Sequence, residues 1–163
     1  MPATYEPIST QTLASAVASV TFSSIPATYT DLVLVMTGIA STLGTDSCEI
    51  QFNGDTATNY SYTLLSGNGT AASSGRGTST SFIAIGLITS TEQVSNIWHI
   101  MNYANTTTYK TVLGKGNIAG AQVRTGAGLW RSTAAITSVL LKNDTAQNFA
   151  IGSTFTLYGV KAA

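Results

Sequence analysis

Charge is what this sequence has least of. Asp, Glu, Lys and Arg together supply 9% of its 163 residues, against about 25% in a typical soluble domain. Seven basic residues cancel seven acidic ones. The bases stand singly from Arg76 to Lys161, so no positive field gathers phosphates and nucleic acid is not an expected partner. Cysteine is nearly absent too. Cys48 alone cannot close an internal disulfide, which excludes a disulfide-stapled scaffold. The longest apolar run, Leu32 to Met36, falls far short of the ~20 residues a membrane helix needs, so no membrane partner is expected. Met1 to Pro7 lacks the basic and apolar regions of a secretory leader. Helical 3.6-residue spacing, heptads and internal repeats are missing as well.

Ser and Thr fill the space that charge leaves, at more than a quarter of the chain. Such a surface hydrates well but gives copies little mutual repulsion, which suits a protein packed in an assembly. A length of 163 residues fits one domain, and a domain near that size buries roughly 70% of its unfolded surface without metal or disulfide support. Nothing in the sequence asks for a cofactor.

The dominant period is two. Strands are expected over 17–22, 30–39, 48–52, 60–65, 81–88, 94–103, 108–114, 136–142 and 154–160, the last two joined by a loop as adjacent strands. Residues 30–39 are mostly apolar, as in a central strand covered on both faces. Ile25 to Tyr29, Asn53-Gly54-Asp55 and Ser90 to Glu92 read as turns; Asn and Gly accept the positive φ that tight hairpins require. Residues 66–77 read as a flexible Gly/Ser/Asn loop, and the Gly/Ala-rich 119–128 as a loop or irregular edge. Short strands with such turns predict an all-β, single-domain antiparallel β-sandwich, jelly-roll-like, over 14–163. Residues 1–13, with Pro2 and Pro7 limiting helix, are expected to form an N-terminal arm lying across a neighbouring subunit.

The residues able to carry chemistry are few, and each has a plain structural reading. His99, the only histidine, stands in a strand pattern with no acidic neighbour in sequence, as a packing residue does. Cys48 shares an apolar strand face with Ile50 and Phe52, so it reads as a small core hydrophobe rather than a reactive thiolate. Asp46, Glu49 and Asp55 with Asn53 gather carboxylates, but their spacing does not match a calcium loop, and turn solvation accounts for them. Gly67-Asn68-Gly69-Thr70 and Gly75-Arg76-Gly77 lack the ending and context of a phosphate loop. Four Asn-x-Ser/Thr sequons are expected by chance in so Asn- and Thr-rich a chain. The aromatics pose a sharper alternative: Trp98, Trp130, Tyr60, Tyr62, Tyr103, Tyr109 and Tyr158 either fill the core or form a sugar platform. Trp98 and Tyr158 lie within strands. Trp130, beside Arg131 after a Gly-rich stretch, is the one expected to be exposed or at an interface.

Three stretches carry a resemblance: Met1 to Asp31 (MPATYEPISTQTLASAVASVTFSSIPATYTD), Phe52 to Tyr62 (FNGDTATNYSY) and Gly152 to Ala163 (GSTFTLYGVKAA). With Gly128-Leu-Trp130 leading into Ala134 to Ser138, the chain resembles small virion proteins of tailed phages, of the kind found in phages of cyanobacteria and marine bacteria and in related prophages. The resemblance implies a β-sandwich component of the particle, on capsid or tail, and transfers no catalytic residue. The expected function is therefore non-enzymatic. A capsid decoration (cement) protein would bind the major capsid protein shell as a homo-oligomer, expected as a trimer, on the virion surface. The alternative is a tail fibre or receptor-binding module that meets tail proteins or a host surface glycan through the 66–77 loop.

Overall fold

Strand-period alternation is realised directly in the computed structural model, which describes residues 4–42, 44–145 and 147–161. In β2 (Ser19–Phe22), Val20 and Phe22 point inward while Ser19 and Thr21 are exposed. β8 (Val94–Met101), β11 (Val139–Asn143) and β12 (Thr154–Val160) alternate in the same way. The apolar runs become β3 (Asp31–Gly38) and β7 (Ile83–Thr89), and every residue of β7 is buried. The remaining strands are β1 (Tyr5–Thr12), β4 (Thr45–Phe52), β5 (Tyr60–Gly67), β6 (Ala72–Thr80), β9 (Lys110–Ile118) and β10 (Gln122–Trp130). No helix occurs among the described residues.

The strands form two antiparallel sheets that sandwich one core. The larger runs β1-β12-β3-β8-β9-β10-β5-β6 and the smaller β2-β11-β4-β7. An eight-stranded jelly roll, counted along its chain, orders one sheet first–last–third–sixth and the other second–seventh–fourth–fifth. Counting from β2, and taking the meander β8–β9–β10 as one strand, both sheets follow that order. The meander widens the larger sheet, and β12 and β1 extend its far edge.

The core is aliphatic with aromatic centres. Trp98, Phe52, Phe155 and Phe149 have no accessible surface, and Phe149 meets Phe155 edge-on with ring centroids 4.9 Å apart. Trp130 is buried as well, against the expectation of a surface position. Its ring stacks on Tyr60 at 6.1 Å and lies 5.6 Å from Phe52. Tyr158 is half-buried on the outer side of β12 rather than in the core.

Several expectations need correction. The 66–77 segment is not a loop: β5 and β6 pair from Tyr60–Thr80 to Gly67–Ala72, leaving only a four-residue tip. Within that tip Asn68 Oδ1 accepts from Thr70 N at 3.1 Å and Ala71 N at 2.7 Å. The 119–128 segment is mostly β10, in the middle of the larger sheet between β9 and β5. Its Gly residues are strand residues facing a close neighbour. A Cβ on Gly128 would stand 2.5 Å from Ile83 Cγ2, and one on Gly114 of β9 would stand 2.7 Å from Ile85 Cγ2. Glycine here lets β7 lie close against β9 and β10.

The expected arm is likewise a strand. Met1 to Ala3 lie outside the described residues, but β1 pairs along β12 of its own chain, and Lys161 Nζ donates to Glu6 Oε1 at 2.7 Å. The Asn53-Gly54 turn forms, with φ of 54° and 66° and Asp55 N donating to Phe52 O at 2.9 Å. It does not make a hairpin, because β4 and β5 lie in opposite sheets. The same holds for β11 and β12, adjacent in sequence and separated in space.

Candidate functional site

The residues with chemical potential are dispersed and engaged. Cys48 is fully buried, its Sγ 3.5 Å from Asn143 Oδ1, and burial, with the charge of Asp46 adding, pushes its thiol far above the ordinary range. A thiol so held is inert. Asp46 ties the chain together locally: Oδ2 accepts from Thr145 N at 2.8 Å and Thr145 Oγ1 at 2.7 Å, and Oδ1 from Ser47 N. Asp55 accepts from Trp130 Nε1 at 2.7 Å, Asn59 Nδ2 at 3.0 Å and Ala57 N at 2.9 Å. The Asn59 bond leads the set that holds its carboxyl below the usual range. Asn53 Oδ1 accepts from Thr137 N and Ser138 N, clamping the chain before β11.

Glu49 is the exception within this group. It is fully buried and takes one bond, from Lys142 Nζ to Oε2, leaving Oε1 without a partner. Burial pushes its carboxyl upward, Lys142 opposes the shift, and Asp144 adds to it. The acids of the 46–55 segment therefore do not converge. No cluster of three or more His, Cys, Asp or Glu able to hold a metal exists among the described residues.

A site of a different kind lies on the outer face of the larger sheet. Cross-strand register aligns Val35, Ile97, Lys115, Thr125, Leu65 and Ser74 in one row from β3 to β6. The neighbouring row contains Val33, His99, Leu113, Ala127, Thr63 and Arg76. A hollow of about 630 Å³ opens over the first row, floored by Val35, Ile97, Leu65 and Val123 and edged by Ser95, Asn117 and Thr125. A second, of about 360 Å³, lies beside it between Ile97, His99, Leu113 and Thr125. A third, of about 370 Å³, continues toward Arg76, Thr63 and Leu129. The first is in the size range of ordinary ligand sites, but it is open along its length.

Three large apolar side chains stand on this face with unusual exposure: Leu65 and Val123 at 61% and Leu113 at 46%. Lys115 lines both the first and second hollows and makes no hydrogen bond or ion pair among the described residues. His99 sits half-buried between Val33 and Leu113, a packing position. Both Trp are buried in the core and no Trp, Tyr or Phe lines the first two hollows, so the aromatic sugar platform raised as an alternative is not formed there.

In the sequence this face is hidden because two of its strands, β6 and β10, read as loops. A signal was present. Gly75-Arg-Gly77, Gly114-Lys-Gly116 and Gly126-Ala-Gly128 each repeat glycine with a period of two. That is the mark of a strand whose inner side is crowded, and it leaves the residues between the glycines facing out.

No family model matches the chain, and no curated protein matches it. Among solved structures it is similar to an alginate lyase variant in complex with an alginate tetrasaccharide, with 10% identity and a TM-score of 0.36 over 97% of this chain and 74% of that one. A second alginate lyase structure shares 11% identity, TM-score 0.30, over 81% and 68%. Scytalido-glutamic peptidase with a peptide-based transition state analog shares 12%, TM-score 0.30, over 91% and 66%. Likeness at this level carries no inference about chemistry.

Proposed function

We propose that the chain is a non-catalytic structural component of a tailed-phage particle, a decoration protein seated as an oligomer on the assembled head. The observation that carries the docking part of this reading is the outer face of the larger sheet. A rigid sheet exposing Leu65, Leu113 and Val123 around open hollows is a surface that a partner covers. The engaged state of Asp46, Asp55 and Cys48 favours a structural role over a catalytic one, and the resemblance of the 1–31, 52–62 and 152–163 stretches supplies the virion setting. A partner that binds only the assembled shell stabilises it by mass action, by RT ln(1 + [L]/Kd) per site. Scarce charge allows copies to sit close together.

Cryo-electron microscopy of the intact particle tests the reading. Symmetric density for this chain over the capsid lattice, in contact with several shell subunits, is the expected result. Density confined to the tail rejects the decoration role, and turnover of a polysaccharide abolished by Glu49→Gln or Asp55→Asn rejects the non-catalytic one.

A further inference from the structure

The outward positions of β8, β9, β10, β5 and β6 hold two bases, Lys115 and Arg76, and no Asp or Glu; β3 adds Asp31 at its start, whose Oδ1 is already taken by Asn102 N at 2.6 Å. In a chain with equal numbers of acids and bases, this makes one face locally positive. Lys115 stands between the two apolar hollows, and its ammonium has no acceptor among the described residues. A partner that fills the hollows therefore gains by placing a carboxylate between its apolar groups.

The shape of the face selects among ligands with that chemistry. An acyl chain on an open trough keeps one flank in water, whereas acyl sites are enclosed. A glycan would find no Trp, Tyr or Phe ring to stack on in either hollow, since none lines them. An extended polypeptide fits both features. Its side chains at i, i+2 and i+4 share one face at roughly 6.6–6.8 Å steps, the spacing of the rows. A carboxylate at i+2 therefore meets the Lys115 row while apolar groups at i and i+4 lie over the Val123 and Leu113 rows on either side. At the edge the Ser95 hydroxyl, Asn117 Nδ2 (its Oδ1 accepts from Ser95 N at 2.9 Å) and Thr125 Oγ1 as an acceptor (it donates to Gly114 O) can meet its main chain.

We propose that this face receives an extended segment of a partner protein, with apolar side chains in the two hollows beside Lys115 and a carboxylate against its ammonium. The proposal deepens the docking reading above and rests on it.

The test is an amide NMR titration of the full chain with a synthetic heptapeptide. The peptide is Thr-Leu-Thr-Glu-Thr-Leu-Thr, whose two leucines and glutamate share one face when extended, and its counterpart carries glutamine instead. The glutamate peptide is expected to shift the amides of Leu65, Ile97, Leu113, Lys115, Val123 and Thr125. The glutamine peptide should bind about fivefold more weakly, the scale of one exposed charge pair. Lys115→Met should erase that difference while the remainder of the spectrum, and so the fold, is unchanged. Equal affinity of the two peptides at this face would keep the face as a docking surface and overturn the carboxylate. Shifts elsewhere, or none at millimolar peptide, would overturn the segment altogether. Head-bound density with no acid near Lys115 would leave the decoration role standing and sink this inference; absence from the head would do the reverse, provided the peptides discriminate.

Discussion

At the scale of single residues, the most consequential polar group is one that sequence reading passed over. Asn96, buried on β8, donates from Nδ2 to Leu87 O at 2.7 Å and accepts at Oδ1 from Leu87 N at 2.7 Å. Leu87 lies on β7, the edge of the smaller sheet, so a side-chain amide from the opposite sheet takes the place of a missing neighbouring strand. Gly116 makes the room, since a Cβ there would fall 2.3 Å from Asn96 Oδ1. Asn96→Ala would leave both backbone groups unpaired inside the protein and should cost at least about 2 kcal/mol in denaturant unfolding. Glu49 gives a pH prediction of definite sign. Burial raises its folded-state pKa, so its contribution to stability is greatest in acid and is lost as pH rises through that pKa. Glu49→Gln removes the titration. Its melting temperature relative to the parent should therefore climb between pH 4 and pH 8; a constant offset would show that Lys142 fully compensates the buried charge. Phe52→Ala and Trp98→Ala empty the centre of the core and should each cost roughly 3–5 kcal/mol.

Strands and turns show why part of the fold was legible and part was not. Where apolar and polar residues alternate with full-sized side chains, as at Cys48-Glu49-Ile50-Gln51-Phe52 or Thr154 to Val160, period two is visible and the strands stand where expected. β6 and β10 hid because their inward positions are glycine, which weakens the apolar signal while satisfying a packing demand that is invisible in one dimension. The same blindness cost the candidate site, because Val123 lies on β10 and Arg76 on β6. Trp130 reads as a surface residue because a Gly-rich stretch precedes it, but Asp55 accepts from its indole N–H and lets the ring be buried. Pairing partners were not legible either, since a turn such as Asn53-Gly54 has the same local chemistry whether its strands pair or part. The glycine strands make a measurable claim. Gly128→Ala should destabilise by about 1–3 kcal/mol through overpacking against Ile83, and Ile83→Ala, which removes all three contacting carbons, should cost less in that chain than in the parent. A tolerated Gly128→Ala would mean that β7 and β10 are not in close contact.

On the scale of the whole molecule, core and outer face separate cleanly. The sandwich closes on itself through β7 and the large aromatics, and none of that packing requires Leu65 or Val123. Leu65→Ser with Val123→Ser should therefore leave the melting temperature within about 4 °C of the parent, because exposed substitutions shift stability little. Under the decoration role proposed above, the same pair should abolish co-sedimentation of the chain with phage heads. A large fall in melting temperature would instead make the face part of the fold's own support. The other end of the larger sheet is built for the opposite purpose. β1 carries Pro7 and a register shift between Pro7 and Ser9, features that discourage a further strand from joining that edge.

The contact between Asn96 and Leu87 also turns one proton into a gauge. Amides on the rim of a sheet normally trade hydrogen with solvent through small local fraying. The Leu87 amide sits on such a rim, yet its acceptor belongs to the other sheet, so freeing it requires the two layers to come apart. Its deuterium uptake should thus be among the slowest in the chain and should follow the same denaturant dependence as global unfolding, reporting from a single site whether the sandwich is shut.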